Sequence, residues 1–162
     1  MRKNLLTILL SSMWLLTATV GLMLSNVSHA DEAAASTNQA GQNLESTLFY
    51  RMGGLPVLKK IVDEFIDEVA KNEKTKRTFD GIKLKTLKES VVMQLCKISG
   101  GGCIYEGETM LNSHKDAKIT EAEFDAFVGI FREIAGKYLP TAEKNALLKL
   151  LAPMKRDIVT PK

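Results

Sequence analysis

The sequence predicts an all-α fold, and three observations carry that prediction. Apolar residues recur with helical spacing in four segments after Ser46. No stretch of the same region alternates apolar and polar residues over the length of a strand. Glycines and prolines separate the periodic segments, where helices end and turns form. At 162 residues, the chain is long enough for one domain with its own core.

The chain begins with two basic residues and an apolar run, which ends in the small-residue triplet Ser28-His29-Ala30. This order is typical of a secretory signal peptide at residues 1–30, cleaved near Ala30, and it predicts a periplasmic or secreted protein. The alternative is an uncleaved N-terminal helix that anchors the chain in a membrane. The apolar run approaches the roughly 20 residues that such a helix needs.

Residues 31–45 are small and polar, which predicts a disordered linker before a folded domain at residues 46–159. The chain has 22 basic and 19 acidic residues, and two of the basic ones lie in the predicted leader. The remainder is therefore close to neutral. It shows no basic face and no series of stacking aromatic residues, so nucleic acid is not an expected partner.

The helices follow in order along the domain. A short helix at residues 46–52 is predicted to end at Gly53-Gly54. Pro56 falls in the first turn of the second helix, where its missing N–H costs little. The apolar face of that helix consists of Leu58, Ile61, Val62, Phe65, Ile66 and Val69.

The third helix is predicted at residues 83–99, before three consecutive glycines. The fourth begins after Thr120, which forms a predicted capping box with Glu123, and it ends before Pro140. The last covers residues 142–158, with Pro153 expected to kink or shorten it. The predicted inner residues of these three helices are Leu84, Leu87, Val91, Leu95 and Ile98, then Phe124, Phe127, Val128, Phe131, Ile134 and Tyr138, then Leu147, Leu148, Leu151 and Met154.

His114 is the only histidine beyond the predicted leader, since the other is His29. It lies in a short segment between two long apolar helices. A neutral imidazole nitrogen is a common ligand of transition metals. A helical bundle with an apolar cavity and one inward imidazole is how a haem pocket is built.

Two cysteines, Cys96 and Cys103, lie on either side of the three glycines. In an exported protein, such a pair can close a disulfide across the bend. The alternatives are two free thiols, or a zinc site formed with His114, although these spacings match no common zinc pattern.

The domain resembles the truncated haemoglobins of group I from about Thr47 to Val159. Four segments carry the resemblance, together with the helix start at residues 119–124. They are Leu48-Phe49-Tyr50-Arg51-Met52-Gly53-Gly54, Val62-Asp63-Glu64-Phe65, Thr78-Phe79-Asp80-Gly81, and the run from Ser99-Gly100-Gly101-Gly102 through Tyr105 and Met110 to His114.

The resemblance implies a two-over-two helical sandwich around haem b, with His114 as the axial ligand of the iron. No Cys-x-x-Cys-His motif occurs, so covalent attachment of the c type is not expected. The residues expected to contact the cofactor are Phe65, Phe79, Leu87, Val91, Leu95, Met110, Phe124 and Phe127.

The other side of the expected haem departs from the family. Ile66 stands where well-studied members place a tyrosine, and Leu87 and Val91 stand where the family often has glutamine. These three residues predict an apolar distal pocket. A shift in register would instead bring Gln94 or Met93 inward.

The expected function is binding or transport of O₂, NO or CO, with weak discrimination in favour of O₂. The enzymatic alternative is an NO dioxygenase or another haem redox enzyme, supplied by a periplasmic electron donor. A further alternative is a helical export protein without haem. Lys83, Lys85 and Lys88 are expected near the haem propionates, unless they are only solvated.

Overall fold

The computed structural model describes residues 46–161. The predicted signal peptide and linker lie outside the described residues. The helices are α1 Leu48–Arg51, α2 Gly54–Val69, a 3₁₀ helix Lys76–Phe79, α3 Leu84–Ile98, α4 Met110–His114, α5 Glu121–Tyr138, α6 Thr141–Leu151, a 3₁₀ helix Ala152–Met154 and α7 Lys155–Ile158.

The domain is a two-over-two helical sandwich, which confirms the predicted fold class. Helix α2 packs on α3 and on α5, and α5 packs on α6. The only β feature within residues 46–161 is one isolated bridge between Ile119 and Val159. None of the helices in this part of the chain has the length and apolar character to cross a membrane.

Helix α2 forms the centre of the core. All six residues of its predicted apolar face are buried. Its outer face carries carboxylates that pair with other helices, including Glu64 with Lys137 and Asp67 with Lys88. The amphipathic pattern of α2 therefore predicted correctly which side of this helix faces the core.

Helix α3 is less deeply buried than its pattern predicted. Leu95 is buried as expected, with the unpredicted Val92 and Cys96. The other four residues of the predicted stripe are only half-buried: Leu84, Leu87, Val91 and Ile98. These four side chains pack against the edge of the core rather than inside it.

Two features of the C-terminal helices match the sequence, and one does not. The capping box is confirmed: the backbone N–H of Glu123 donates to the Thr120 hydroxyl, and the N–H of Thr120 donates to the Glu123 carboxylate. Helix α6 ends two residues before Pro153, as expected. The inward position predicted for Tyr138 is wrong, because its ring is 38% exposed and its hydroxyl donates to Glu64 at 2.6 Å.

Candidate functional site

His114 is the last residue of α4, and a bond to its own helix fixes its ring. The Thr109 hydroxyl caps the start of α4 by accepting from the N–H of Asn112 at 3.2 Å. At the other end, Nδ1 of His114 lies 2.8 Å from the carbonyl oxygen of Met110. A carbonyl only accepts, so Nδ1 carries a proton, and in the neutral ring the lone pair is on Nε2. That nitrogen is then a metal ligand with a fixed orientation.

The loop before α4 forms a tight turn around Tyr105. The Tyr105 hydroxyl donates to the carbonyl of Glu108 at 3.1 Å. A Cβ atom at Gly107 would lie 2.4 Å from the Tyr105 ring, closer than any side chain allows. The turn delivers the chain to Thr109, which caps α4. Tyr105 and Gly107 therefore determine where the helix of His114 begins.

The glycine run at the end of α3 lies directly against α1. The N–H of Phe49 donates to the carbonyl of Ser99 at 2.9 Å. A Cβ atom at Gly101 would lie 2.6 Å from the Phe49 ring and 2.5 Å from Sγ of Cys96. Only glycine permits this approach, which explains why a glycine stands beside the buried aromatic ring.

A disulfide joins Cys96 to Cys103, with their Cα atoms 5.7 Å apart. It links the buried end of α3 to the loop that leads into α4. Neither sulfur is then available as a thiolate ligand. Within residues 46–161, no three ligating side chains of the His, Cys, Asp or Glu type come together, so the zinc alternative has no support there.

The residues predicted to contact the cofactor divide into two groups. Phe65 and Leu95 are at most 3% exposed and belong to the closed core, as does the predicted distal residue Ile66. The other six are half-buried: Phe79, Leu87, Val91, Met110, Phe124 and Phe127. Four of them pack against the core and still stay partly exposed, so they form an apolar crevice at its edge that an apolar group can fill: Phe79, Leu87, Val91 and Phe127.

Aromatic rings join the crevice to the core. The ring of Phe65 lies edge-on to Phe127 at 4.6 Å and to Phe131 at 5.0 Å. Phe79, from the first 3₁₀ helix, stacks parallel to Phe127 at 6.4 Å. Phe127 therefore has a buried ring on one side and the ring of the Phe79 segment on the other.

The predicted distal residues Ile66, Leu87 and Val91 carry no hydrogen-bonding side chain. Gln94 is half-buried, and its Nε2 lies 3.6 Å from Sδ of Met110. Its amide is thus turned toward the helix of His114. Met93 is 36% exposed. Gln94 is one of the two residues that a shift in register would bring inward, and its amide donates to the Met110 thioether, which is a weak acceptor.

The three lysines predicted near the propionates fall into two groups. Lys83 and Lys85 are exposed. Lys88 pairs with Asp67 at 2.9 Å and with Asp63 at 3.6 Å, both on α2. The Lys88 ammonium therefore joins α2 to α3, and contact of the three lysines with the propionates stays a prediction.

The pKa shifts lie at helix ends and on the outer surface. The pKa of Glu123 is lowered, first because the backbone N–H of Thr120 binds its carboxylate and further because Arg77 does so. The pKa of Glu64 is lowered by hydrogen bonds from Lys137 and Tyr138, and the same bonds raise the pKa values of those two groups. No predicted site residue takes part in these interactions.

An open cleft of about 1100 Å³ lies between residues 118–121 and the C-terminal segment 152–161. It contains none of the predicted site residues. A smaller cleft of about 480 Å³ is lined by the first 3₁₀ helix and includes Phe79 and Leu84. The crevice residue Phe79 thus lies at the second cleft and not at the first.

Residues 47–160 match the family of bacterial-like globins, well over half of the chain. This chain is a truncated globin. It is similar to the Fe(III) form of truncated hemoglobin from Tetrahymena pyriformis, with a TM-score of 0.68 and 21% identity, covering 72% of this chain and 100% of that one. It is also similar to truncated hemoglobin THB11 from Chlamydomonas reinhardtii, with a TM-score of 0.62 and 22% identity, covering 72% and 98%. No curated protein matches the sequence significantly.

Membership of the globin family implies a haem protein that binds diatomic gases. The residues of this globin fit that group. Nε2 of His114 supplies one neutral nitrogen donor, and half-buried apolar side chains surround the crevice. Haem contact by each named residue, including Phe65 and Leu95, stays a prediction.

One residue of this globin escaped the sequence analysis. Arg77 bridges the first 3₁₀ helix to the turn after His114 and to Glu123. Its partners are 40 to 46 residues away in sequence. The polar segment around it has no periodicity. The only sequence feature related to Arg77 was Glu123, and the predicted capping role of Glu123 gave no indication that it also binds Arg77.

Proposed function

We propose that this globin is an exported haem b protein that binds O₂, NO or CO at an iron ligated by His114, with weak discrimination in favour of O₂. The observation that carries the proposal is the hydrogen bond from Nδ1 of His114 to the Met110 carbonyl, which leaves Nε2 as the ligand. When bound, haem supplies an iron atom with an open coordination position for a gas molecule.

The cysteines support a non-covalent haem b. Covalent c-type attachment needs free thiols near a histidine in a Cys-x-x-Cys-His motif. That motif is absent from the sequence, and both cysteines of the globin domain are joined to each other. The haem would then be held by the His114 ligand and by non-covalent contacts, which fits the half-buried apolar side chains of the crevice.

The distal residues support weak discrimination in favour of O₂. Ile66, Leu87 and Val91 cannot donate a hydrogen bond to a gas molecule. A hydrogen bond to a charged acceptor contributes about 1.5–3 kcal/mol. Without one, release of O₂ should be faster by roughly ten- to a hundredfold, since 1.4 kcal/mol corresponds to a factor of ten.

The same pocket argues against an enzymatic role. An NO dioxygenase must hold O₂ firmly until NO arrives, and a peroxide-splitting enzyme needs a positioned acid or base. Ile66, Leu87 and Val91 offer neither. A periplasmic electron donor would be required only if this globin turned over as an enzyme.

The disulfide and the leader support export. Disulfides persist in oxidising compartments and are rare in the cytosol. The test is mass spectrometry of the full chain expressed in a bacterial host with an intact leader. We expect a mature protein beginning near Asp31 whose cysteines react with an alkylating agent only after reduction. Retention of Met1, or two thiols that react without reduction, would contradict this part of the proposal.

The function itself is tested by absorption spectra of the ferric, ferrous and CO forms, followed by stopped-flow measurement of O₂ release. We expect a Soret band, a five-coordinate ferrous form and rapid O₂ release. In His114→Gly, the Soret band of the five-coordinate ferrous form should disappear, and added imidazole should restore it. An absent Soret band would refute haem binding. Slow O₂ release would refute the apolar distal pocket and favour the dioxygenase.

A further inference from the structure

We propose that Arg77 is a positioning residue for His114. By bonding to the turn that follows His114, its guanidinium holds the end of α4 that carries the imidazole and couples the position of that end to the Phe79 segment. This inference rests on the proposed role of His114 as the iron ligand.

Arg77 makes four hydrogen bonds, two to Glu123 in α5 and two to the turn between α4 and α5. Its Nε and Nη2 donate to Oε1 of Glu123 at 2.8 and 2.6 Å. Its Nη1 donates to the carbonyl of Ala117 and its Nη2 to the carbonyl of Lys118, both at 3.3 Å. The flat guanidinium thus joins two backbone carbonyls and one carboxylate, a geometry that lysine cannot reproduce.

The turn that receives these bonds begins at His114. The N–H of Ala117 donates to the His114 carbonyl at 3.0 Å. Lys118 has φ of 50°, the only non-glycine residue with positive φ among residues 46–161. A lysine in this left-handed conformation is strained and persists only when its surroundings hold it there. The bonds of Arg77 to both carbonyls supply that restraint.

The other end of the link is the Phe79 segment. Arg77 and Phe79 belong to one 3₁₀ helix of four residues. Phe79 stacks on Phe127, and Arg77 binds Glu123 one turn earlier on α5. The segment is therefore attached to α5 at two points, so a movement of Phe79 is transmitted through Arg77 to the turn after His114.

Stability alone does not account for this arrangement. The Arg77 side chain is 57% exposed, and exposed ion pairs contribute little to folding. Its neighbour Lys76 makes an ion pair only within its own segment, with Glu73 three residues away. Lys76 is therefore a matched control: it has the same charge and lies on the same helix, but it has no bond to the turn.

The test compares Arg77→Ala, Arg77→Lys and Lys76→Ala in the full chain. In haem-free protein, hydrogen exchange at the Ala117 amide should be about tenfold faster in Arg77→Ala. In the haem-loaded ferrous protein, the iron–histidine stretching band in resonance Raman spectra should shift and broaden. Arg77→Lys should show intermediate effects, and Lys76→Ala should match the wild type.

Unchanged exchange at Ala117 and an unchanged iron–histidine band in Arg77→Ala would overturn the inference. Full rescue by lysine would also overturn it, because the fork geometry would then be unnecessary. Absence of the band in the wild type would instead refute His114 as ligand, while the exchange measurement still tests the link from Arg77 to the turn. If Arg77→Ala does not fold, Arg77→Lys carries the same comparison.

Discussion

Gln94 is the single residue whose direction matters most for gas binding. Its amide contacts Met110, on the helix of His114. We therefore expect Gln94→Leu to leave the O₂ release rate nearly unchanged. Leu87→Gln places an amide donor in the apolar wall, at a half-buried position, and should slow O₂ release by roughly ten- to a hundredfold.

Stopped-flow measurement on the two variants and the wild type checks this prediction. CO binding to the same proteins is the control, since bound CO is less polar and should respond less to the new amide. A large acceleration of O₂ release in Gln94→Leu would show that Gln94 turns toward the gas when haem is present, and would contradict the apolar pocket.

A residue with local partners could be singled out from the sequence, whereas the partners of two basic residues, Lys88 and Arg77, could not be predicted. His114 stands out in the sequence because its neighbours Tyr105 and Met110 form a local motif, and the Met110 carbonyl that orients the ring belongs to it. Lys88 is predicted to lie near the propionates, and its pairing with Asp67 could not be predicted. Arg77 was missed altogether. The partners of Lys88 and of Arg77 lie on other segments, and such contacts cannot be predicted from the sequence until the packing is known.

At the level of elements, the start of α5 links a helix cap to the pH dependence of stability. The Thr120 N–H and Arg77 lower the pKa of Glu123 in the folded state, so the charged carboxylate is favoured there. The stability it contributes is complete above the ordinary pKa of glutamate and is lost as the pH falls through the lower folded-state pKa.

We expect Glu123→Gln to lower the free energy of unfolding at pH 7 by about 1 kcal/mol, the usual scale of a helix cap. The difference from the wild type should shrink toward zero as the pH falls below the ordinary pKa of glutamate. Urea unfolding of haem-free protein across this pH range measures it. Glu73→Gln is the control, because Glu73 is highly exposed. A difference that stays constant with pH would contradict the assignment.

Helix bounds were predictable wherever a local stop or cap defines them. Thr120 with Glu123 and the break near Pro153 are examples, because capping and proline geometry depend on residues within one turn. The inward face was less predictable. Tyr138 follows the spacing of its apolar stripe, yet it lies outside, because its hydroxyl binds Glu64 of α2. Periodicity ranks a tyrosine as apolar and cannot register its polar end.

At the scale of the whole molecule, the fold class and family were predictable because ordered motifs are spread along the domain. What the sequence could not show is how they meet. The glycine run, Phe49 of α1 and the disulfide form one contact at the buried end of α3. Cys96 is fully buried in it. This contact joins α1, the core and the loop leading to His114.

The disulfide should therefore stabilise the fold and hold the His114 loop. Replacing both cysteines, Cys96→Ala with Cys103→Ala, should lower the free energy of unfolding by about 2–3 kcal/mol, because a short closed loop no longer restricts the unfolded chain. Haem should also dissociate faster, since the loop entering α4 loses its covalent link to α3. Urea unfolding and haem transfer to apomyoglobin measure the two effects.

Cys103→Ala alone removes the bond while keeping the Cys96 side chain in the core, so it separates the lost bond from lost packing. Wild-type stability and haem retention in both variants would show that the glycine turn and Phe49 hold this end of the molecule without the disulfide.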